Sequence, residues 1–208
     1  MIPVKILAVR YLANAAPSLC KKLGVPEGYH SLGLITTDCD DATYIALDEA
    51  TKAADVTVSY GRSFYAGAAN ASTPNAGEVI GILAGTTPGA VKSGMEAVIS
   101  ALSRVGFEEA KGVPYLAHTV SRSGSFLSGE AGVHIGTPLA YLIAPPLESM
   151  YAMDAALKAA DVVLCKLYNP PSETNFGGGL LSGTRSACEA ACAAFAKAVA
   201  EVAANPRQ

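Results

Sequence analysis

Apolar positions along the chain alternate or cluster in a way that predicts short strands separated by amphipathic helices. Runs bounded by Gly, Pro and Asn predict strands over residues 3–12, 31–37, 56–60 and 78–84. Between them, Tyr44, Ile45, Leu47 and Ala50 fall near one face of a helix over 41–54, with Asp40 or Asp41 placed to cap it. A second helix is predicted over 88–104. The series then returns, with strands near 115–121, 138–144, 162–168 and 179–182 and helices at 147–160 and 185–203.

The return is visible in the residues themselves. Thr51 to Val58 reads TKAADVTV and Leu157 to Leu164 reads LKAADVVL, 106 positions later. Ala46/Ala152, Asp48/Asp154 and Ala50/Ala156 match at the same offset. Each copy continues into a strand, a Gly/Pro/Ser/Asn-rich loop, a strand closing on Gly-Thr (Gly85-Thr86; Gly183-Thr184) and an Ala-rich helix. A period of about half the chain means two copies of one domain, not a solenoid of short units. The expected division is 1–110 and 111–208. The expected fold class is an α/β (α+β) sandwich, each unit a mixed sheet with helices packed on it.

Composition sharpens this picture. Half of the 208 residues are hydrophobic and only 16% are charged, against about a quarter in ordinary soluble domains. Disorder is excluded, and the shortage of charge points to extensive contact with other subunits. No run of 18 uncharged residues offers a membrane span. Lys5 and Arg10 spoil the start as a signal peptide, so a reducing cytoplasm is the expected compartment. A net charge of −3 without a basic run argues against nucleic acid as partner. The five cysteines (20, 39, 165, 188, 192) follow no disulfide or zinc spacing, and Cys188 and Cys192 read as small core residues.

Catalytic templates are missing: no P-loop, no G-x-G-x-x-G after a strand, no G-x-S-x-G, no H-E-x-x-H. His30, His118 and His134 stand apart from any metal-ligand spacing, so neither a metal site nor a catalytic residue is expected. Asp38-Cys39-Asp40-Asp41 starts like a calcium loop but places Ala42 and Thr43 where a ligand and a Gly are needed. Helix capping and the helix dipole account for one or two of these acids. The surplus carboxylate is available for a small cation, and Glu78 opens an apolar strand. If Asp40 and Glu78 converge, they form a site for an ammonium group. Lys52 and Lys158 recur in the repeat, either as solvated lysines near a helix C-terminus or as donors at a subunit edge. Two long loops, 61–77 and 169–179, hold equivalent places in the two copies, which favours function over tolerated insertion.

The unit A-x-D-x-A-x-K-A-A-D-V, followed by strand, loop, strand and Ala-rich helix, resembles the bacterial microcompartment shell domain. The strings SLGLITTDCDDATYIALDEATKAADVTVSYGRSFYAGAANASTPNAGEV, AHTVSRSGSFLS, PLAYLIAPPLESMYAMDAALKAADV and NPPSETNFGGGLLSGTRSACEAACAAF resemble the tandem, circularly permuted shell proteins of ethanolamine-utilisation compartments. That resemblance implies a homotrimeric, pseudo-hexameric tile beside other shell proteins, located in the microcompartment within the cytoplasm, and not an enzyme. It implies a central pore gated by movement of loops; by position the loops at 62–76 and 170–182 are the candidates, with Arg62, Phe64, Tyr65, Asn70, Asn175, Phe176, Gly177 and Gly178 in them. It also implies an ethanolamine-binding channel at Asp40 and Glu78. No cofactor is required, and a corrinoid (cobalamin) is compatible as ligand or cargo. The alternative is a trimeric small-ligand sensor that does not assemble into a shell.

Overall fold

The computed structural model describes residues 1–63, 79–170 and 175–207. The chain divides into two compact units. The first comprises Pro3–Val105 and Gly124–Leu127; the second comprises Met1–Ile2, Gly106–Ser123 and Ser128–Gln208.

In the first unit, β1 (Ile6–Leu12), α1 (Pro17–Lys22), β2 (Ser31–Thr37), α2 (Asp40–Ala53), β3 (Thr57–Ser63), β4 (Val79–Gly85) and α3 (Pro88–Leu102) follow in order. The strands pair as β1-β2-β4-β3. After β5 (Glu108–Ala110), the same sequence of elements recurs. It runs β6 (Val113–Val120), α4 (Ser125–Ala131), β7 (Leu139–Ala144), α5 (Pro146–Ala159), β8 (Val162–Tyr168), β9 (Gly177–Gly183) and α6 (Arg185–Ala204). Their sheet order is β5-β6-β7-β9-β8, the first order repeated with β5 added at an edge.

Every described strand pairing is antiparallel, which corrects the expectation of mixed sheets within an otherwise matching fold. The reason lies in the hairpin. The α2 crossover carries β3 parallel to β2 but one strand away, and β4 turns back to fill the gap between them. Even the irregularity repeats: the ladder slips between Val58 and Tyr60 in one sheet and between Leu164 and Lys166 in the other.

Missing side chains set how closely the helices approach. A Cβ on Gly33 would lie 2.8 Å from Val91 and 2.9 Å from Met95 of α3, and one on Gly81 would lie 2.7 Å from Leu47 of α2. On the other face of the first sheet, Ala15 and Cys20 pack with Leu32, Ile82 and Ala84. The second core gathers Leu142, Met153, Leu181 and Phe195, with Cys188 and Cys192 buried among them as core residues. Burial pushes the Cys192 thiol up to about 11, which keeps it protonated and unreactive. Thr87 and Thr184 cap α3 and α6 by accepting the Ala90 and Ala187 N–H groups.

Candidate functional site

The acidic run enters α2 differently from the capping arrangement expected of it. Cys39 is the N-cap residue, with extended backbone and no side-chain cap bond. Its backbone is held by threonines. The Thr37 hydroxyl donates to the Cys39 carbonyl at 2.9 Å and accepts the Cys39 N–H at 3.1 Å, while the Thr43 hydroxyl donates to the same carbonyl at 2.7 Å. Asp38 instead accepts the Lys5 N–H at 2.7 Å, tying β1 to the end of β2.

Freed from capping, Asp40 and Asp41 sit buried in the first turn of α2. Asp40 Oδ1 accepts the Asp41 N–H at 2.9 Å, and the Ser63 hydroxyl at the end of β3 also bonds to Asp40. Burial pushes the Asp40 carboxyl above the ordinary range, although these hydrogen bonds pull the other way. The result is a buried acid at the positive end of a helix dipole, held beside a hydroxyl. Val79 pairs with both Thr37 and Ser63. Glu78, the other expected ligand, falls outside the described residues, as do Phe64, Tyr65 and Asn70.

Of the expected gating residues that are described, Arg62 is exposed on β3 opposite Ile80, and Asn175 is exposed with φ of 65°. Phe176 packs edge-on against Phe107, centroids 5.6 Å apart. Gly177 and Gly178 are not loop residues. Strand β9 begins at Gly177, two positions earlier than predicted, and both glycines are buried and paired to β7.

Sequence reasoning passed over Asp48. Its side chain is fully buried, with Oδ2 accepting the Gly124 N–H at 2.7 Å and Oδ1 the Leu127 N–H at 2.9 Å. Beside it the Thr51 hydroxyl accepts the Ser125 N–H at 3.1 Å. Lys52 neutralises Asp48 at 3.6 Å and also pairs with Glu49. The repeat marked Asp48 and Asp154 as alike, yet Asp154 is exposed and pairs only with Lys158 among the described contacts. Among the described residues no group of three His, Cys, Asp or Glu side chains could hold a metal ion, and no helix is long and apolar enough to cross a membrane.

A family model described as "BMC domain" matches residues 31–114. It starts at β2, after the β1–α1 segment that opens the unit, as a permuted element order requires. The bacterial microcompartment shell protein EutL of Clostridium perfringens is 58% identical over 99% of this chain and 97% of its own. The chain belongs to the EutL family of bacterial microcompartment shell proteins. The EutL of Escherichia coli is 49% identical, over 100% of this chain and 97% of its own. The crystal structure of the ethanolamine utilization protein EutL from Leptotrichia buccalis superposes with a TM-score of 0.95 at 56% identity, covering 100% of this chain and 97% of that one. Membership of the EutL family confirms the tandem shell-domain fold and places the chain in the microcompartment within the bacterial cytoplasm.

Proposed function

We propose that the chain is a structural tile of an ethanolamine-utilisation microcompartment, assembling as a homotrimer with a gated central pore and acting without catalysis or a required cofactor. The observation that carries this reading is the near-full-length identity to EutL shell proteins. The low charge content agrees with it, since a tile meets neighbouring shell proteins on every edge. The gate is assigned to Arg62, Phe64, Tyr65 and Asn70 with Asn175 and Phe176, and a polar opening there would pass metabolites by size and lining, a corrinoid among them if it is wide enough. The purified chain is expected to form extended two-dimensional sheets by electron microscopy and to leave ethanolamine unconverted. Discrete trimers that never tile would replace the shell with a sensor, and turnover would replace it with an enzyme.

Each subunit is also assigned an ethanolamine site, in which the buried Asp40 carboxylate and Glu78 bracket the ammonium group and the Ser63 hydroxyl helps to fix Asp40. Asp40→Asn with Glu78→Gln should abolish calorimetric binding of ethanolamine. The pH dependence has a definite sign. Below its raised pKa, Asp40 is neutral and cannot pair with an ammonium; above it, the carboxylate can. Affinity therefore rises with pH through that value, and binding in that window releases a proton, seen as a heat that depends on the buffer. A flat affinity profile, or unchanged affinity in the double variant, sinks the assignment.

A further inference from the structure

We infer that Thr37 and Thr43 are positioning residues of the ammonium site: their hydroxyls clamp the Cys39 backbone at the start of α2, so that the Asp40 carboxylate is left to the ligand instead of capping the helix. The inference rests on the ethanolamine-site reading above and names what aims its carboxylate.

The clamp is a closed circuit of hydrogen bonds. The Cys39 N–H donates to Thr37 Oγ1 at 3.1 Å, Thr37 Oγ1 lies 2.7 Å from Thr43 Oγ1, and the Thr43 hydroxyl donates to the Cys39 carbonyl at 2.7 Å. The Thr37 proton has Thr43 and the same carbonyl, 2.9 Å away, as acceptors. Each hydroxyl thus both donates and accepts. Both threonines are fully buried, and branching at Cβ restricts χ1 of each, so little freedom is lost in bringing the hydroxyls together.

The clamp sits where it can set the direction of Asp40. Val79 pairs with Thr37 on one side and with Ser63 on the other, so the three form one row across β2, β4 and β3. The first turn of α2 is bonded to both ends of that row, Cys39 to Thr37 and Asp40 to Ser63. At the usual strand spacing the two anchors stand about 10 Å apart, which fixes how the turn lies on the sheet. An N-cap side chain ordinarily accepts from the first-turn N–H groups, and Cys39 makes no such bond. The nearest acceptors in sequence are the carboxylates of Asp40 and Asp41, drawn by the positive end of the helix. Asp40 already gives Oδ1 to the Asp41 N–H at 2.9 Å. Loosening the Cys39 backbone lets the turn rotate and draw the rest of that carboxylate onto the helix end.

The second copy starts the same helix without a clamp. Val79 opens β4 as Gly177 opens β9, and the two strands close on Gly85 and Gly183. Thr37 pairs with Val79 as Ala144 pairs with Gly177, so Ala144 is the counterpart of Thr37. Along the helices, at the 106-residue offset of the repeat, Pro146 and Leu147 stand for Asp40 and Asp41, and Ser149 for Thr43. Pro145 is the N-cap residue of α5 and Pro146 follows it, and neither has an N–H to satisfy. The Ser149 hydroxyl turns to the Pro146 carbonyl at 2.9 Å, a bond within its own helix. Two prolines therefore suffice to begin this helix. Clamp and carboxylate occur together in the first copy and are missing together in the second, as expected of a device that serves the carboxylate and not the helix.

The test titrates ethanolamine into the full-length chain by calorimetry and reads melting temperature beside it. Thr37→Val and Thr43→Val keep side-chain shape and remove one hydroxyl each. Either should weaken ethanolamine about 10-fold, the low end of what loss of a group behind a ligating side chain costs in metal sites. The double variant should be no weaker than the weaker single one, because each opens the same circuit. Thr37→Ser and Thr43→Ser keep the hydroxyls and should bind as the wild type does. Thr87→Ala is the control: it removes the cap of α3 in the same unit, so it should melt lower yet bind unchanged. Should Thr37→Val fail to fold, Thr43→Val and the two serine variants decide the matter. Folded valine variants with wild-type affinity, or a Thr87→Ala variant weakened as much as they are, would overturn the positioning role and leave the site standing. A wild-type chain that takes up no ethanolamine would overturn the site reading itself, and the clamp's role with it.

Discussion

Asp48→Ala is expected to cost about 3–5 kcal/mol of folding stability, the range for removing one partner from a buried charged network. Both carboxylate oxygens are engaged, by Gly124 and Leu127, in a fully buried position. Truncation orphans two buried N–H groups at about 1–3 kcal/mol each, while Lys52 keeps Glu49 as partner. Against a total stability of about 5–15 kcal/mol, this is a large share. Urea unfolding by circular dichroism measures it as a lower midpoint at unchanged slope. The counterpart Asp154→Ala, measured where the chain is monomeric, should fall within about 0.5 kcal/mol, because that side chain is exposed. Equal effects at the two positions would refute the account. The pH dependence follows from burial, which raises the Asp48 pKa in the folded state despite the two N–H donors and Lys52. A raised folded pKa means that the group's contribution is complete below its unfolded value and declines as pH rises through the folded one. Asp48→Asn should flatten that decline.

Why Asp48 escaped the sequence reading, and other elements did not, is a matter of where the deciding contact lies. Strand β2 was legible residue for residue, since SLGLITT is apolar enough to announce a central strand and Asp38 ends it. Helices α2 and α5 were placed within a residue or two because each ends at the same K-A-A-D turn before a strand. The short helices α1 and α4 were missed: PSLCKK and SFLSGEA are too brief to display a helical period. Asp48 looks from the sequence like any exposed helix acid paired with Lys52, and only the non-local Gly124–Leu127 segment makes it buried. The sequence predicts a mixed sheet because alternation of strands and helices reveals crossovers but not a hairpin strand returning into the gap. At the candidate site, Asp40 was singled out as a surplus acid, yet the threonines that release it from capping, Thr37 and Thr43, were not. Their role is a loop geometry, and no spacing rule encodes it. Likewise the glycines at 177–179 read as a loop because Gly is uncommon inside a strand, whereas here close backbone approach requires Gly178 and Gly179 inside one.

Gly178→Ala tests that last point and should be among the most damaging single-methyl additions to the chain. Gly178 holds φ of 148°, a backbone conformation that L side chains rarely adopt, and a Cβ there would fall 1.9 Å from Leu142 O and 2.8 Å from its carbonyl carbon. The obstacle is backbone of β7, which is itself paired on both edges, to β6 and β9, and cannot yield without breaking ladders. Backbone strain of about 1–3 kcal/mol adds to an overpacking cost of about 1–3 kcal/mol. For a chain of this length the sum lowers the melting temperature by roughly 10 °C. Gly129→Ala supplies the contrast, since nothing lies within 4 Å of a Cβ there and its φ is not positive, so the helix α4 should gain slightly. Differential scanning calorimetry reads both. Were Gly178 a mobile gate residue instead of a ladder residue, the Ala variant would melt with the wild type and differ only in conduction. A large drop at Gly178 beside a neutral or upward shift at Gly129 locates the constraint in the β7–β9 ladder, and leaves gating to residues outside it.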